Sequence, residues 1–533
     1  MVKVTCLGGA GSVTGSSYLI ESSSGSKALV DCGMFQGSPQ MEGRNLSPWG
    51  FEPEGLQTLF LTHAHIDHSG RIPKLVKDGF KGKIITTPPT AELSSIMLLD
   101  SAHIQEIDAE SQTKKNKRQA RGPIQPLYTT ADAEESIRLL SPVETDTIIQ
   151  VEQGIKARLR NAGHILGSAI LELWVEGSDG EIKLVFSGDI GKQNQLIVKD
   201  PYEIFAADYL FVESTYGNRL HRSFDDSKKE LMEAILHAVS NKEKVIIPAF
   251  AVERTQELLY ILSGFYRDGK LPDIPVYLDS PLAIKATEIF GKNKKYYDEE
   301  AMALVKQGID PFYMPNLRFT ASTKESMAIN ESEGPAIIMA GNGMCTAGRI
   351  KHHLKHNLWR EGASIVMVGF QAVGTTGRRI IEGARSVKIF GENVSVKARV
   401  YTIGGFSAHA DQKDLLGWVS HFAESRPRIF VVHGEPSTSQ VLADKIRENF
   451  KMEVHIPVWK ERLFLKPREM TLEAPSIEEA PADVLQLSLN TIIDLEKELD
   501  RIKKELKKKP EAISKYDIDR LRFIHEELQT MQG

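Results

Sequence analysis

The sequence predicts an α/β protein built from two strand-and-helix units and closed by a C-terminal helical hairpin. Three observations predict it. Up to about residue 200, short apolar strands end abruptly in polar or glycine-rich loops. From residue 205, short buried-looking strands alternate with helical segments, the pattern of a largely parallel sheet. In the tail, Leu485, Ile492, Leu499 and Leu506 recur every seven residues, a heptad seam.

The elements follow in order. Residues 2–7 alternate in polarity before Gly8 and Gly9. Residues 28–30 run into Asp31, Cys32 and Gly33, and residues 59–61 run into Thr62 and His63. Residues 90–119 read as a long polar helix ending in a basic run at 114–118. Residues 171–175 and 182–186 flank Gly177, Ser178, Asp179 and Gly180, a hairpin signal. The second unit offers strands at 209–212, 244–248, 276–278, 336–339 and 364–368, with helices at 227–239 and 253–262. Strands and a helix return at 400–403, 428–432 and 442–450. Residues 473–482 are acidic and contain proline, as a linker does. Leu495 and Ile502 fill the heptad seam and Pro510 breaks it. Leu521, Ile524, Leu528 and Met531 then make a second stripe, hence a hairpin. The expected domains are 1–204, 205–393, 394–466 and 467–533.

Composition excludes several classes. The chain has 533 residues, 41% hydrophobic and 26% charged, with a net charge of −5, as ordinary globular proteins do. It is neither disordered nor collagen-like. No apolar run approaches the roughly 18 residues a membrane-spanning helix needs. The opening MVKVTCLGGAGSVTG lacks a basic stretch followed by a long apolar one, so no secretory leader is expected. Cys6, Cys32 and Cys345 are too few and too scattered for a disulfide framework, which suits the cytoplasm. Mild acidity argues against indiscriminate coating of nucleic acid but leaves room for a local basic groove.

The densest chemistry is His63-Ala64-His65-Ile66-Asp67-His68, four metal-ligand side chains in six residues directly after an apolar strand. Imidazole and carboxylate are ligands that zinc prefers. The order suits a loop, because neighbours on a helix splay around its axis. Four ligands on one loop exceed what one catalytic metal with an open position takes, so two metals are expected to share it. Only fifteen histidines occur in the whole chain, which makes a chance cluster improbable. Further candidates sit at strand ends: His164 in a glycine-flanked turn, Asp189 after 182–186 as a bridge between two ions, and His433 after 428–432. Asp31, also at a strand end, is expected to fix the ligand loop and a histidine tautomer. His352, His353 and His356 read instead as part of an exposed basic helix start.

With Asp31, His164, Asp189 and His433 following HAHIDH in that order, the sequence resembles the metallo-β-lactamase fold. The stretch between Asp189 and His433 resembles the insert of its β-CASP branch of nucleic-acid-processing nucleases. VESTYG supplies Glu213, FSAHAD supplies His409, and HGE supplies His433. IPAFAVERTQELLY (247–260), GNGMCTAGRIKHHL (341–354) and GFQAVGTTGRRI (369–380) also look typical. The resemblance covers about residues 1–465. It implies an αββα sandwich at 1–204 and 394–466, with an α/β β-CASP domain at 205–393 between them. It implies one zinc held by His63, His65 and His164, a second held by Asp67, His68 and His433, and Asp189 bridging both. A histidine at the His433 motif is typical of RNA-directed members, which implies single-stranded RNA as the substrate. Manganese and iron stay open as the metals used.

The chemistry then takes a definite form. Two metals hold the phosphate, neutralise its charge and lower the pKa of a bridging water towards roughly 7, with Asp67 counted as catalytic as well as a ligand. The leaving 3′-oxygen needs a proton. His409 is the candidate general acid, with Glu213 beside it to favour the imidazolium. Thr376, Arg378 and Arg379 read as a phosphate cradle and Ser168 as a further phosphate contact. The basic run 114–121 is a weaker candidate for RNA contact. A homodimer or a partner protein is the expected use of the C-terminal helices. A hydrolase of small esters or thioesters and a non-catalytic RNA-binding scaffold are the alternatives. Endonuclease and 5′→3′ exonuclease modes both stay open.

Overall fold

The computed structural model describes residues 1–117, 122–369, 371, 374–467 and 469–473. The expected C-terminal hairpin and residues 118–121 of the basic run lie outside them. Among the described residues an eight-stranded sheet runs in the order Glu469–Glu473, Arg462–Lys466, Val2–Gly8, Ser17–Glu21, Lys27–Val30, Thr58–Phe60, Lys83–Thr86, Leu140–Pro142. A seven-stranded sheet runs Val454–His455, Arg428–Val432, Tyr209–Glu213, Gly180–Phe186, Ala169–Gly177, Ile155–Asn161, Ile149–Glu152.

Strand alternation explains how they stack. Val2, Val4 and Cys6 face Leu171, Leu173, Leu184 and Phe211 in one core between the sheets. There Phe186, Phe211 and Phe430 stack at centroid distances of 4.3 and 4.5 Å. Each such pair contributes about 0.5–1.5 kcal/mol beyond its burial. The opposite residues of the same strands face helices. Leu29, Leu59 and Ile84 pack near the helices Ile72–Lys77, Pro88–Lys117 and Thr130–Arg138. Leu210, Val212 and Val431 pack on Gln412–Ser420 and Pro436–Phe450. The result is an αββα sandwich.

A third sheet has six strands, all paired in parallel: Leu317–Phe319, Val276–Asp279, Ile337–Ala340, Val245–Pro248, Ser364–Met367 and Arg399–Thr402. Val245 and Ile247 face the helices Phe224–Ser240 and Arg254–Arg267 on one side, while Ile246 and Ile365 face Ile350–Asn357 on the other. From Val245–Pro248 the chain leaves towards one edge, and from Ile337–Ala340 it returns towards the other. The crevice at the carboxyl ends of those two strands is where such sheets bind ligands.

Two strands lie across the expected boundaries. Tyr209–Glu213 pairs with Gly180–Phe186 and Arg428–Val432 in the sandwich, not in the inserted sheet. Arg399–Thr402, expected in the returning sandwich segment, pairs with Ser364–Met367 in the insert. Apolar strands of four or five residues look alike in any buried parallel sheet, so only their partners decide. Residues 469–473, expected at a linker, form an edge strand antiparallel to Arg462–Lys466.

Candidate metal centre

Six of the functional side chains expected from sequence are placed by the carboxyl end of a strand. Asp31 follows Lys27–Val30, His63 follows Thr58–Phe60, His164 follows Ile155–Asn161, and Asp189 follows Gly180–Phe186. Glu213 ends Tyr209–Glu213 and His433 follows Arg428–Val432. Parallel pairing gathers the ends at Asp31 and His63, and those at Asp189, Glu213 and His433; two antiparallel steps through Ala169–Gly177 point Ile155–Asn161 the same way as Gly180–Phe186. One expectation needs correcting. Ile66–Ser69 is a helical turn rather than loop, so Asp67 and His68 sit on it while His63 and His65 precede it. Both side chains nevertheless reach the same half of the cluster, where His433 meets them. The turn is held close: a Cβ on Gly33 would lie 1.6 Å from the Asp67 carbonyl oxygen, so only glycine fits there.

Two ligand groups meet at Asp189. Oδ2 lies 3.5 Å from His63 Nε2 and 3.7 Å from His164 Nε2, whereas Oδ1 lies 3.3 Å from His68 Nε2 and 3.5 Å from His433 Nε2. His65 Nδ1 is 3.1 Å from His63 Nε2 and 3.2 Å from His164 Nε2. His433 Nε2 is 3.5 Å from His68 Nε2 and 3.7 Å from Asp67 Oδ2. A tetrahedral zinc with bonds near 2.0–2.1 Å has ligand atoms about 3.3 Å apart. The donor set fits a cation in each half. Asp189 Oδ1 is buried without a hydrogen-bond donor, which a cation would remedy.

Burial and charge divide the histidines. Burial pushes His63 and His164 well below the usual imidazole range and His65 down to about 4, leaving neutral rings with lone pairs to give. Burial opposes charge on His68 too, but Asp189 and Asp31 hold it well above that range. Burial raises the Asp189 carboxyl, yet His433 and His68 hold it well below the usual range. Asp31 accepts from Thr62 N at 2.8 Å, from Thr62 Oγ1 at 2.9 Å and from His68 Nδ1 at 2.7 Å. It adopts φ +57°, and His433 adopts φ +50°, left-handed conformations that are costly without glycine.

His409 stands at the edge of this cluster. Its Nδ1 is 3.4 Å from Glu213 Oε1 and 3.9 Å from Asp189 Oδ2. Glu213 is fully buried and accepts from Ile190 N at 2.7 Å. Burial works against the His409 cation, but Glu213 and Asp189 raise it to about 9.

The remaining expected residues are placed differently. Ser168 is buried, and its hydroxyl accepts from His164 N and Ile165 N at 3.0 and 3.2 Å, so it braces the His164 turn. Arg378 pairs with Glu382 at 2.7 Å, Thr376 starts a short helix, and Arg379 is exposed. His353 is not on an exposed face: it is buried, 2.7 Å from Asp279 Oδ2 and 3.0 Å from Asn330 Oδ1. Its helix face turns towards the sheet because Ile350 and Leu354 are buried on it. Sequence reasoning missed Gln195, which donates to the His164 carbonyl at 3.0 Å and to Glu253 Oε1 at 3.3 Å, tying the insert to the metal cluster. No local pattern marks that pair, which is 58 residues apart.

Fold and site together define a metallo-hydrolase whose ligands come from strand-end loops of an αββα sandwich. Comparison with known proteins agrees. Residues 10–249 match the metallo-beta-lactamase superfamily, 255–380 the Beta-Casp domain, and 393–457 the Zn-dependent metallo-hydrolase RNA specificity domain. Ribonuclease TTHA0252 of Thermus thermophilus is 38% identical over 435 residues, covering 81% of this chain and 93% of that protein. The transcription termination factor FttA of Methanocaldococcus jannaschii is 31% identical over 466 residues, 86% of this chain and 70% of its own. The FttA of Pyrococcus abyssi is 31% identical over 474 residues, with the same coverage. The chain belongs to the β-CASP family of the metallo-β-lactamase superfamily.

Proposed function

We propose that this protein is a zinc-dependent ribonuclease that hydrolyses phosphodiester bonds of single-stranded RNA, in RNA processing or decay. The observation that carries the reading is Asp189, whose two oxygens face two separate histidine groups. His63, His65 and His164 would hold one zinc, Asp67, His68 and His433 the second, and Asp189 both. The pair supplies charge neutralisation and an activated water at neutral pH. Asp31 fixes the His68 tautomer so that Nε2 carries the free lone pair. His409, held as imidazolium beside Glu213, delivers a proton to the leaving oxygen. Arg379 offers a cation to a phosphate near the carboxyl end of the inserted sheet.

The ribonuclease name of the Thermus relative and the RNA specificity match support RNA as the polymer. The transcription termination factors among the relatives favour, as a second reading, work on newly made transcripts. No described helix is long and apolar enough to cross a membrane, and the cysteines are unpaired, which supports a cytoplasmic location. The test is cleavage of a 5′-labelled single-stranded RNA, with and without zinc, beside an Asp67→Ala/His68→Ala control and a matched DNA strand. Metal-dependent RNA products missing from the control are expected, and their lengths separate internal cuts from digestion at an end. Intact RNA with zinc bound overturns the proposal.

A further inference from the structure

Among the loops at the carboxyl ends of the inserted sheet, Phe250 is exposed where burial would be expected. It follows Val245–Pro248 by two residues, at the point where the strand order reverses. Its neighbours Ala249 and Val252 are each 2% exposed, but Phe250 is 42% exposed. Nearly half of a large apolar side chain is thus left in water. A lone exposed aromatic is ordinary, but this one is also held in place.

The ring rests against the backbone of Gly343, in the loop after Ile337–Ala340. A Cβ at Gly343 would meet ring atoms Cε2, Cδ2 and Cζ at 3.0, 3.1 and 3.2 Å, so the lack of a side chain lets the ring seat there. The Gly343 carbonyl accepts from Gln371 Nε2 at 2.9 Å, and the Met344 carbonyl from Gly377 N at 3.1 Å. Three loops are thereby joined around one ring. Its own backbone is fixed as well, since Thr255 Oγ1 donates to the Phe250 carbonyl at 2.7 Å. Arg379, two residues beyond Gly377, is exposed and forms no ion pair with a described residue.

The position also points at the metal cluster. Three residues on, Glu253 accepts from Gln195, which donates in turn to the His164 carbonyl. The loop that carries the ring thus also carries the contact to the metal cluster. A fixed, half-bare aromatic in a crevice whose loops also carry an exposed arginine suits a π-faced ligand attached to phosphate.

We propose that Phe250 is a nucleobase platform, stacking one base of the bound strand at the carboxyl end of the inserted sheet; this rests on the RNA reading above. Stacking accepts any base, because each has a π-face, and contributes about 1–3 kcal/mol per base. The platform thus supplies grip and register without sequence preference.

The test uses the full chain carrying Asp67→Ala/His68→Ala, so that RNA is bound without being cut. Its probes are a fluorescein-labelled 12-nucleotide oligoadenylate and a strand of the same length and charge lacking bases, read by anisotropy. Phe250→Ala is expected to weaken oligoadenylate binding about 5- to 100-fold and leave the abasic strand unchanged. Phe250→Tyr is expected to restore oligoadenylate binding, while Phe250→Leu, apolar but without a ring, is not. Oligoadenylate binding that is equal with and without the ring overturns the platform, as does an equal loss for both strands. A parent that binds neither strand overturns the RNA reading itself, and the platform with it.

Discussion

Asp31 accepts a hydrogen bond from His68 Nδ1 at 2.7 Å, which leaves His68 Nε2 facing Asp189 Oδ1 at 3.3 Å. One carboxylate therefore sets the tautomer of a ring that a second carboxylate helps to aim. Asp31→Asn keeps the size of the side chain but removes its charge. It is expected to weaken zinc binding about 10- to 100-fold, read by competition with a chromogenic chelator. Unchanged affinity would show that the contact only packs the loop.

If His409 is the general acid proposed above, the Glu213–His409 pair sets the alkaline side of the reaction. Glu213 and Asp189 raise His409 to about 9 against the effect of burial. A general acid must carry its proton, so kcat/KM is expected to fall as pH rises through that region. Glu213→Gln removes the negative charge that favours the imidazolium, so the alkaline limb moves to lower pH. A pH–rate profile of the variant with its limb unmoved would contradict the pairing. His409→Ala is expected to slow single-turnover cleavage about 10²- to 10⁴-fold while zinc stays bound.

Asp279 anchors the inserted domain. It accepts from His353 Nε2 and Arg349 Nη1 at 2.7 Å, from Ser326 Oγ at 2.6 Å and from Thr320 Oγ1 at 2.9 Å. Burial would raise this carboxyl, but hydrogen bonds from His353, Ser326 and Arg349 hold it down to about 2. Because the folded value lies below the unfolded one near 3.8, its stability is complete above about pH 4 and lost as pH falls through about 2. Asp279→Asn removes the charge that the Arg349 guanidinium faces and an acceptor from the network with His353, Ser326 and Thr320, and is expected to cost about 1–3 kcal/mol at neutral pH, measured by urea unfolding. The variant should also lose part of the wild-type slope between pH 4 and pH 2.

Arg379 tests the phosphate side of the insert. Arg379→Ala is expected to weaken RNA binding for all sequences alike and to flatten the salt dependence by about 0.7, as the loss of one single-strand phosphate contact does. A loss confined to one base sequence would argue for a different contact.

How far the sequence reached depends on the kind of signal. HAHIDH was legible because four ligand side chains in six residues need an ion to be worth gathering. Asp31, His164, Asp189 and His433 were legible from strand ends and order, and the structure brings them together. The helical turn at Ile66–Ser69 was not, since one short turn has no periodicity to detect. The sheet to which Tyr209–Glu213 belongs was not legible either, because YLFV (209–212) is apolar throughout and names no partner. The burial of His353 was not legible because the charged residues around it dominate the local pattern, while it shares the buried face of Ile350 and Leu354 and its partner Asp279 is 74 residues away. Gln195 and Glu253 carry no local mark at all, and Phe250 sits in an apolar run that reads as core.

The central claim, that one carboxylate joins two metal positions into a single hydrolytic centre, is tested most directly by a zinc titration. Zinc is added to the metal-stripped full chain while single-turnover cleavage of a 5′-labelled single-stranded RNA is followed. The account predicts that cleavage climbs until two equivalents per chain are bound, and that Asp189→Asn abolishes it while weakening both sites. Full cleavage at one equivalent, or none with two bound, would contradict it.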